Sequence, residues 1–303
     1  MSDTFFILGI FGFVFLLWLS GGGPNRPLSF AGPVLRGSNS LYIQTPGTLY
    51  NSTSTGAGSR FGSSNIFGET PSAAAFGTPS IHRGTVTLSH YVSDAAAPDP
   101  AHEYVTIRLA SDASAPVDIS GWKLVSDTSG ASATIPKGTE VPRSGLINAT
   151  QPIVLNPGDL ATVSSGRSPI GASFRENLCI GYFAQYQPFY PPLPITCPTP
   201  YDELKSYYGE NPERDTACIA YTQGLNRCTL VATPPVNLSG TCASFLIAHI
   251  NYNGCVNAHE NDPHFKGITW RVYLGRDKSM WHKQYEVVRL LDADGKTVDM
   301  FSY

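Results

Sequence analysis

Alternation of apolar and polar residues marks much of the C-terminal two-thirds of the chain as β structure. Gly84-Thr-Val-Thr-Leu-Ser-His90 alternates with period two. Glu103–Leu109 does so again, with Val105, Ile107 and Leu109 on one face. Val117–Val125 predicts a third strand, in which Gly121 allows a bend or bulge. Shorter pieces follow at Ala133–Pro136, Gly138–Pro142, Ile153–Leu155 and Leu160–Val163, the last two joined by the turn Asn156-Pro-Gly-Asp159. Near the C-terminus, Tyr285–Leu291 and Thr297–Ser302 flank Asp292-Ala-Asp-Gly295, a hairpin signal. Short strands spaced by turn residues predict a β-sandwich.

Between Arg167 and His282 the pattern changes. Asp202–Tyr208, preceded by Pro198 and Pro200 and closed by Gly209, predicts a short helix. Asp215 caps a second that runs toward Leu225. Asn237 or Ser239 caps a third over Thr241–Asn251, with Cys242, Phe245, Leu246 and Ile250 on one face. The body at 83–303 is thus expected to be interrupted by a cysteine-rich helical insertion at 167–284.

The N-terminal end has neither period. Phe5–Leu19 is an uncharged, almost wholly apolar run followed by Ser20 and three glycines. Together these are just long enough to span a bilayer core as a helix, with Trp18 near one interface. Asp3 without a nearby Lys or Arg, and the sequence Ser-Gly-Gly-Gly-Pro after Leu19, fit a cleaved signal peptide poorly. The expectation is an uncleaved transmembrane anchor at 1–23. Residues 20–80 contain 34 Gly, Ser, Thr or Pro among 61, too little apolar surface to offset chain entropy. Residues 24–82 therefore read as a flexible linker, in which three Phe-Gly pairs recur at 61, 67 and 76.

Charge supports this division. Of the 43 charged residues, six fall in residues 1–83 with net charge +2; the remaining 37 give the body a net charge of −5. No basic stretch offers a footprint for nucleic acid. All six cysteines (Cys179, Cys197, Cys218, Cys228, Cys242 and Cys255) lie in the predicted insertion. None forms the close pair usual in zinc sites, so a disulfide framework is expected. Nested pairing across a helical hairpin predicts Cys228–Cys242 and Cys218–Cys255, with Cys179–Cys197 closing a Pro-rich loop. Disulfides place the body on the extracytoplasmic side. Arg26 and Arg36 after the anchor argue the opposite, but that rule weakens for long translocated domains.

The pieces Glu103-Tyr-Val-Thr-Ile, Asp118-Ile-Ser-Gly-Trp-Lys-Leu124, Leu155-Asn-Pro-Gly-Asp159 and Leu291-Asp-Ala-Asp-Gly-Lys-Thr-Val-Asp299 through Ser302-Tyr303 occur in an order that resembles the lamin-tail domain family. The resemblance covers about 84–166 and 285–303. It implies an immunoglobulin-like β-sandwich, with Trp122 as a core tryptophan between the sheets. It also implies an envelope or secreted setting, often as an accessory module. The long segment before the closing hairpin departs from the family pattern.

No intact catalytic motif is present. His259-Glu-Asn-Asp-Pro-His264 spaces its histidines by five and is interrupted by Pro263, so it misses the helical zinc-protease pattern. His259, Glu260, Asp262 and His264 are at most a weak metal cluster. Gly295-Lys296-Thr297 lacks the upstream glycine of a phosphate loop. Asp and Glu are numerous enough for a chance glycosidase pair. No cofactor is implied. The most distinctive surface candidate is the Pro- and Tyr-rich run Tyr182–Pro194, where Tyr186, Phe189 and Tyr190 are candidates to stack on a glycan or peptide. The expected function is noncatalytic binding or structural organisation at the cell surface by a membrane-anchored envelope protein. The alternatives are an envelope hydrolase with its site in the insertion and an assembly factor acting through an exposed disulfide.

Overall fold

A computed structural model of the chain describes residues 77–91, 95–209 and 215–303. The expected anchor and most of the linker lie outside them. Among the described residues no helix is long and apolar enough to cross a membrane.

The body is mainly strands, with a few short helices. Six strands form one sheet in the order β1 (Val86–Ser89), β2 (Tyr104–Leu109), β8 (Leu160–Ser164), β10 (Lys266–Tyr273), β9 (Ser173–Asn177), β6 (Gly138–Thr139). Four form a second, in the order β12 (Thr297–Ser302), β11 (Val287–Leu291), β4 (Lys123–Ser126), β5 (Ser132–Thr134). A small pair joins β3 (Val117–Asp118) to β7 (Val154–Leu155). The alternating faces behave as their period requires: Val86 and Leu88, then Val105, Ile107 and Leu109, are buried. Val288 and Leu290 of the second sheet join them in one core, which also holds Trp122 and Trp270. β11 and β12 form the antiparallel hairpin read from Asp292–Gly295.

The third predicted strand is two. Gly121, at φ +83°, takes a left-handed conformation open to glycine, and there the chain leaves β3 for β4 in a different sheet.

The segment read as a helical insertion contributes both of its ends to the six-stranded sheet. β9 and β10 pair antiparallel, and β10 runs parallel to β8 at the centre of the sheet. The part outside the sheet is therefore 178–265. Its described residues form a 3-10 turn (Ile180–Gln185) and four helices: α1 (Pro200–Tyr208), α2 (Thr216–Gln223), α3 (Gly240–His249) and α4 (Tyr252–His259). Thr199, Asp215, Ser239 and Asn251 cap their N-termini through side-chain oxygens. α4 was not anticipated; its signal is Asn251 followed by Tyr252, Cys255 and Val256 on one buried face. α3 and α4 meet so closely that a Cβ on Gly254 would lie 2.3 Å from the Ala248 carbonyl oxygen.

These helices cover the outer face of the sheet with a second core built on Phe174, Phe245, Leu246 and the six cysteines. The second half of β10, Trp270–Tyr273, is thereby buried on both faces, as are all five residues of β9. Trp270 and Val272 point to the first core, while Tyr273 points to the second.

All six cysteines are disulfide-bonded, but none of the three predicted pairings holds. The bonds are Cys179–Cys255, Cys197–Cys228 and Cys218–Cys242. The nested scheme required α2 and α3 to carry a cysteine at each end. Instead Cys218 and Cys242 sit in the first turns of both helices, whose capping groups Asp215 and Ser239 are hydrogen-bonded at 2.5 Å. Cys228 lies beyond α2 in a loop at φ +58° and reaches back to Cys197. Cys255 belongs to the unanticipated α4 and reaches Cys179 beside the sheet.

Candidate functional site

The run Tyr182–Pro194 divides on folding. Its second half is fastened to the sheet. The Arg271 guanidinium, on the outer face of β10, donates to the carbonyls of Pro191 and Pro192 at 2.6 and 3.0 Å and to Glu176 at 2.5 Å. Phe189 is buried edge-on against Phe174 in the second core, so it offers no ring to solvent and leaves the set of candidate binding residues. Tyr190 is partly exposed and lies against the His102 ring at 3.6 Å between centroids.

The first half forms one wall of a cleft of about 410 Å³. Tyr186, two-thirds exposed, stands at its edge above buried Phe183. The opposite wall is the loop 142–148. Asn148 closes this loop on itself: its Oδ1 accepts from the Arg143 amide at 2.7 Å, and its Nδ2 donates to the Arg143 and Leu146 carbonyls. α4 holds the loop from behind. Asn253 accepts from the Ser144 amide and donates to its carbonyl, at 3.0 and 2.9 Å. The Arg143 guanidinium bonds Asn257 at 2.5 Å and Glu260 at 2.6 Å. A smaller hollow of about 90 Å³, lined by Tyr182, Leu230 and Asn251, adjoins the cleft and shares Ser144, Phe183 and Tyr186 with it. Gln185 fixes its far side, donating to the Cys228 carbonyl and accepting from the Leu230 amide.

The floor is aromatic. Phe183 stacks on Tyr252 at 4.1 Å, and the Tyr252 hydroxyl accepts from Asn177 at 3.0 Å. Burial pushes the Tyr182 phenol well above the usual tyrosine range, with the nearby Glu203 charge adding to the effect. Burial does the same to Tyr252, against the opposing pull of its Asn177 bond. Both stay neutral hydroxyls at physiological pH. The sequence singled out Tyr186; Arg143 and Asn253 carried no motif, and Asn148 stood out only as the start of the glycosylation pattern Asn148-Ala-Thr. The Ser144-Gly145 step, with Asn148 three residues on, is a loop signal that could have found this wall.

The other chemically suggestive groups are occupied structurally. His259 does not gather Glu260, Asp262 and His264 around one point. Its Nδ1 meets Asp262 at 2.5 Å and its Nε2 meets buried Glu203 of α1 at 2.6 Å, while Glu260 turns to Arg143. Among the described residues one group of possible metal ligands converges, Asp215 with Cys218 and Cys242, but these two sulfurs are bonded to each other. Glu103 and Glu286 are fully buried carboxylates. Glu103 accepts from the Met280 and Trp281 amides at 2.7 and 3.0 Å; Glu286 accepts from Ser126 and the His282 and Val287 amides. Burial raises the Glu103 carboxyl above its usual range, partly offset by these bonds. Both hold the segment before β11 in place. The six cysteines are all buried, which gives no exposed disulfide for thiol exchange.

The His259 contacts couple pH to the cleft. Burial alone would lower the imidazole pKa; the bonds to Asp262 and Glu203 and their charges outweigh it and raise it above 6.5. A group raised in the folded state gives stability that is complete below the unfolded pKa and lost as pH rises through the folded one. The clasp between α1 and α4 should therefore loosen as pH climbs above about 6.5. Hydrogen exchange of the α4 amides, corrected for intrinsic rate, should show less protection at about pH 8.5 than at pH 6. His259→Asn should abolish the difference.

Compared with known proteins, the chain matches no family model and no curated protein.

Proposed function

We propose that this chain is a membrane-anchored envelope protein whose body, a lamin-tail-like immunoglobulin-type sandwich, is a noncatalytic binding module on the extracytoplasmic side. The observation that carries the reading is the Tyr186 cleft, whose loop-wall amides and guanidinium are committed to holding the walls while an aromatic ring is left open to solvent. Such a site is pre-organised to bind, because little ordering remains to be paid on association. Three buried disulfides support an oxidising compartment. The apolar run Phe5–Leu19 supports the anchor. The lamin-tail reading draws support from its ordered motifs, which fall on β2, β3–β4, the turn between β7 and β8, and the closing hairpin β11–β12.

The full chain in detergent micelles should co-sediment with envelope fragments from the cell that makes it, and should release no soluble products. Release of soluble fragments would favour the hydrolase instead, and failure to sediment would overturn the binding reading.

A further inference from the structure

We infer that the Tyr186 cleft takes a neutral saccharide a few rings long. This rests on the binding reading above and names its ligand class.

Charge comes first. The cation at the cleft, Arg143, is already bonded to Glu260 and Asn257. A phosphate or carboxylate ligand would have to break that pair, and an ammonium ligand would meet a cation with its partner taken. A neutral ligand costs neither.

Shape and lining come next. Tyr186 offers an exposed ring, a flat apolar surface with a polar tip. The lining mixes the apolar residues Leu146, Ile170 and Phe183 with the polar residues Ser144, Asn148 and Gln187. Alternating small apolar faces and hydrogen-bonding edges is the surface that a pyranose ring itself presents. At about 410 Å³ with a further 90 Å³ alongside, the space falls within the range of small-ligand sites.

Peptide modes fit less well. Adding a strand requires an open sheet edge, and an amphipathic helix requires a continuous apolar groove. The walls here are the loop 142–148 and the 3-10 turn with Tyr186, and their lining is mixed. A proline-rich peptide on an aromatic groove is the closest competitor, and the test includes it.

The full chain in detergent micelles is applied to an array of neutral oligosaccharides (β-glucans, mannans and chito-oligosaccharides) and, in parallel, to proline-rich peptides. At least one neutral oligosaccharide should be retained. Tyr186→Ala should weaken it by about tenfold or more, Tyr186→Phe by far less, and Tyr285→Ala, at another exposed tyrosine, not at all. Retention of no saccharide, binding unaffected by Tyr186→Ala, or Tyr186-dependent binding of a peptide alone would each overturn the inference. If no saccharide is retained while envelope co-sedimentation persists, the saccharide assignment fails and the binding reading stands. Loss of both sinks both.

Discussion

Arg271→Met should destabilise the protein by about 3–5 kcal/mol, the cost of leaving one member of a buried ion pair without its partner. Arg271 and Glu176 are both buried, on adjacent central strands, and their contact is 2.5 Å. Methionine fills much of the same volume, so the loss is one of charge pairing and hydrogen bonds and not of packing. The effect should also be directional. Arg271 is the group that donates to the carbonyls of Pro191 and Pro192, so the 186–194 segment should lose hydrogen-exchange protection before the strands around it. Glu176→Gln with Arg271→Met, which removes both charges, should recover part of the stability but not the fastening of the loop. Chemical denaturation of the full chain measures the first effect. A loss below about 1 kcal/mol would mean that water reaches Glu176 and that the helical layer does not seal this face of the sheet.

Removing the Cys179–Cys255 bond by replacing both residues with Ser should cost about 2–5 kcal/mol. This bond spans 76 residues of sequence, against 31 for Cys197–Cys228 and 24 for Cys218–Cys242. If loop closure dominates, it should exceed the shortest by about 1 kcal/mol. It also fastens α4 to the end of β9, and α4 in turn holds Ser144 and Arg143 at the cleft. Thermal unfolding of the three double-Ser variants gives the ranking. Exchange at the 142–148 amides should rise in the Cys179–Cys255 variant and stay unchanged in the Cys218–Cys242 variant.

Local sequence determines structure here where one physical rule governs a segment. β1, β2 and β11 each bury one face against the first core, so their alternation is visible in the residues themselves. The three predicted helices carry strong capping residues and were found close to their observed bounds. β9 escaped notice because Ser-Phe-Arg-Glu-Asn contains a single apolar residue. It is a central strand because its charges are matched from elsewhere: Glu176 by Arg271 of β10, and Arg175 by Asp159 at 3.0 Å. Those partners are 95 and 16 positions away, beyond any local pattern. The disulfide pairing failed for a related reason. It depended on α4 and on the path of the loop through Cys228, both fixed by tertiary packing. Half of the candidate site was legible, since Tyr186 was named from its aromatic and proline setting. The opposing wall was not, because the loop 142–148 is tied to α4 by residues more than 100 positions later.

Three disulfides tie the helical layer beside the sheet that carries the Tyr186 cleft, and the proposed extracytoplasmic placement requires all three to be formed in the cell. Non-reducing peptide mapping of the full chain, taken with thiols blocked directly from the membranes of the cell that makes it, tests this most directly. The expected result is the three linked peptide pairs Cys179–Cys255, Cys197–Cys228 and Cys218–Cys242, with none of the six cysteines alkylated. Recovery of those cysteines as alkylated thiols, or in any other pairing, would contradict it.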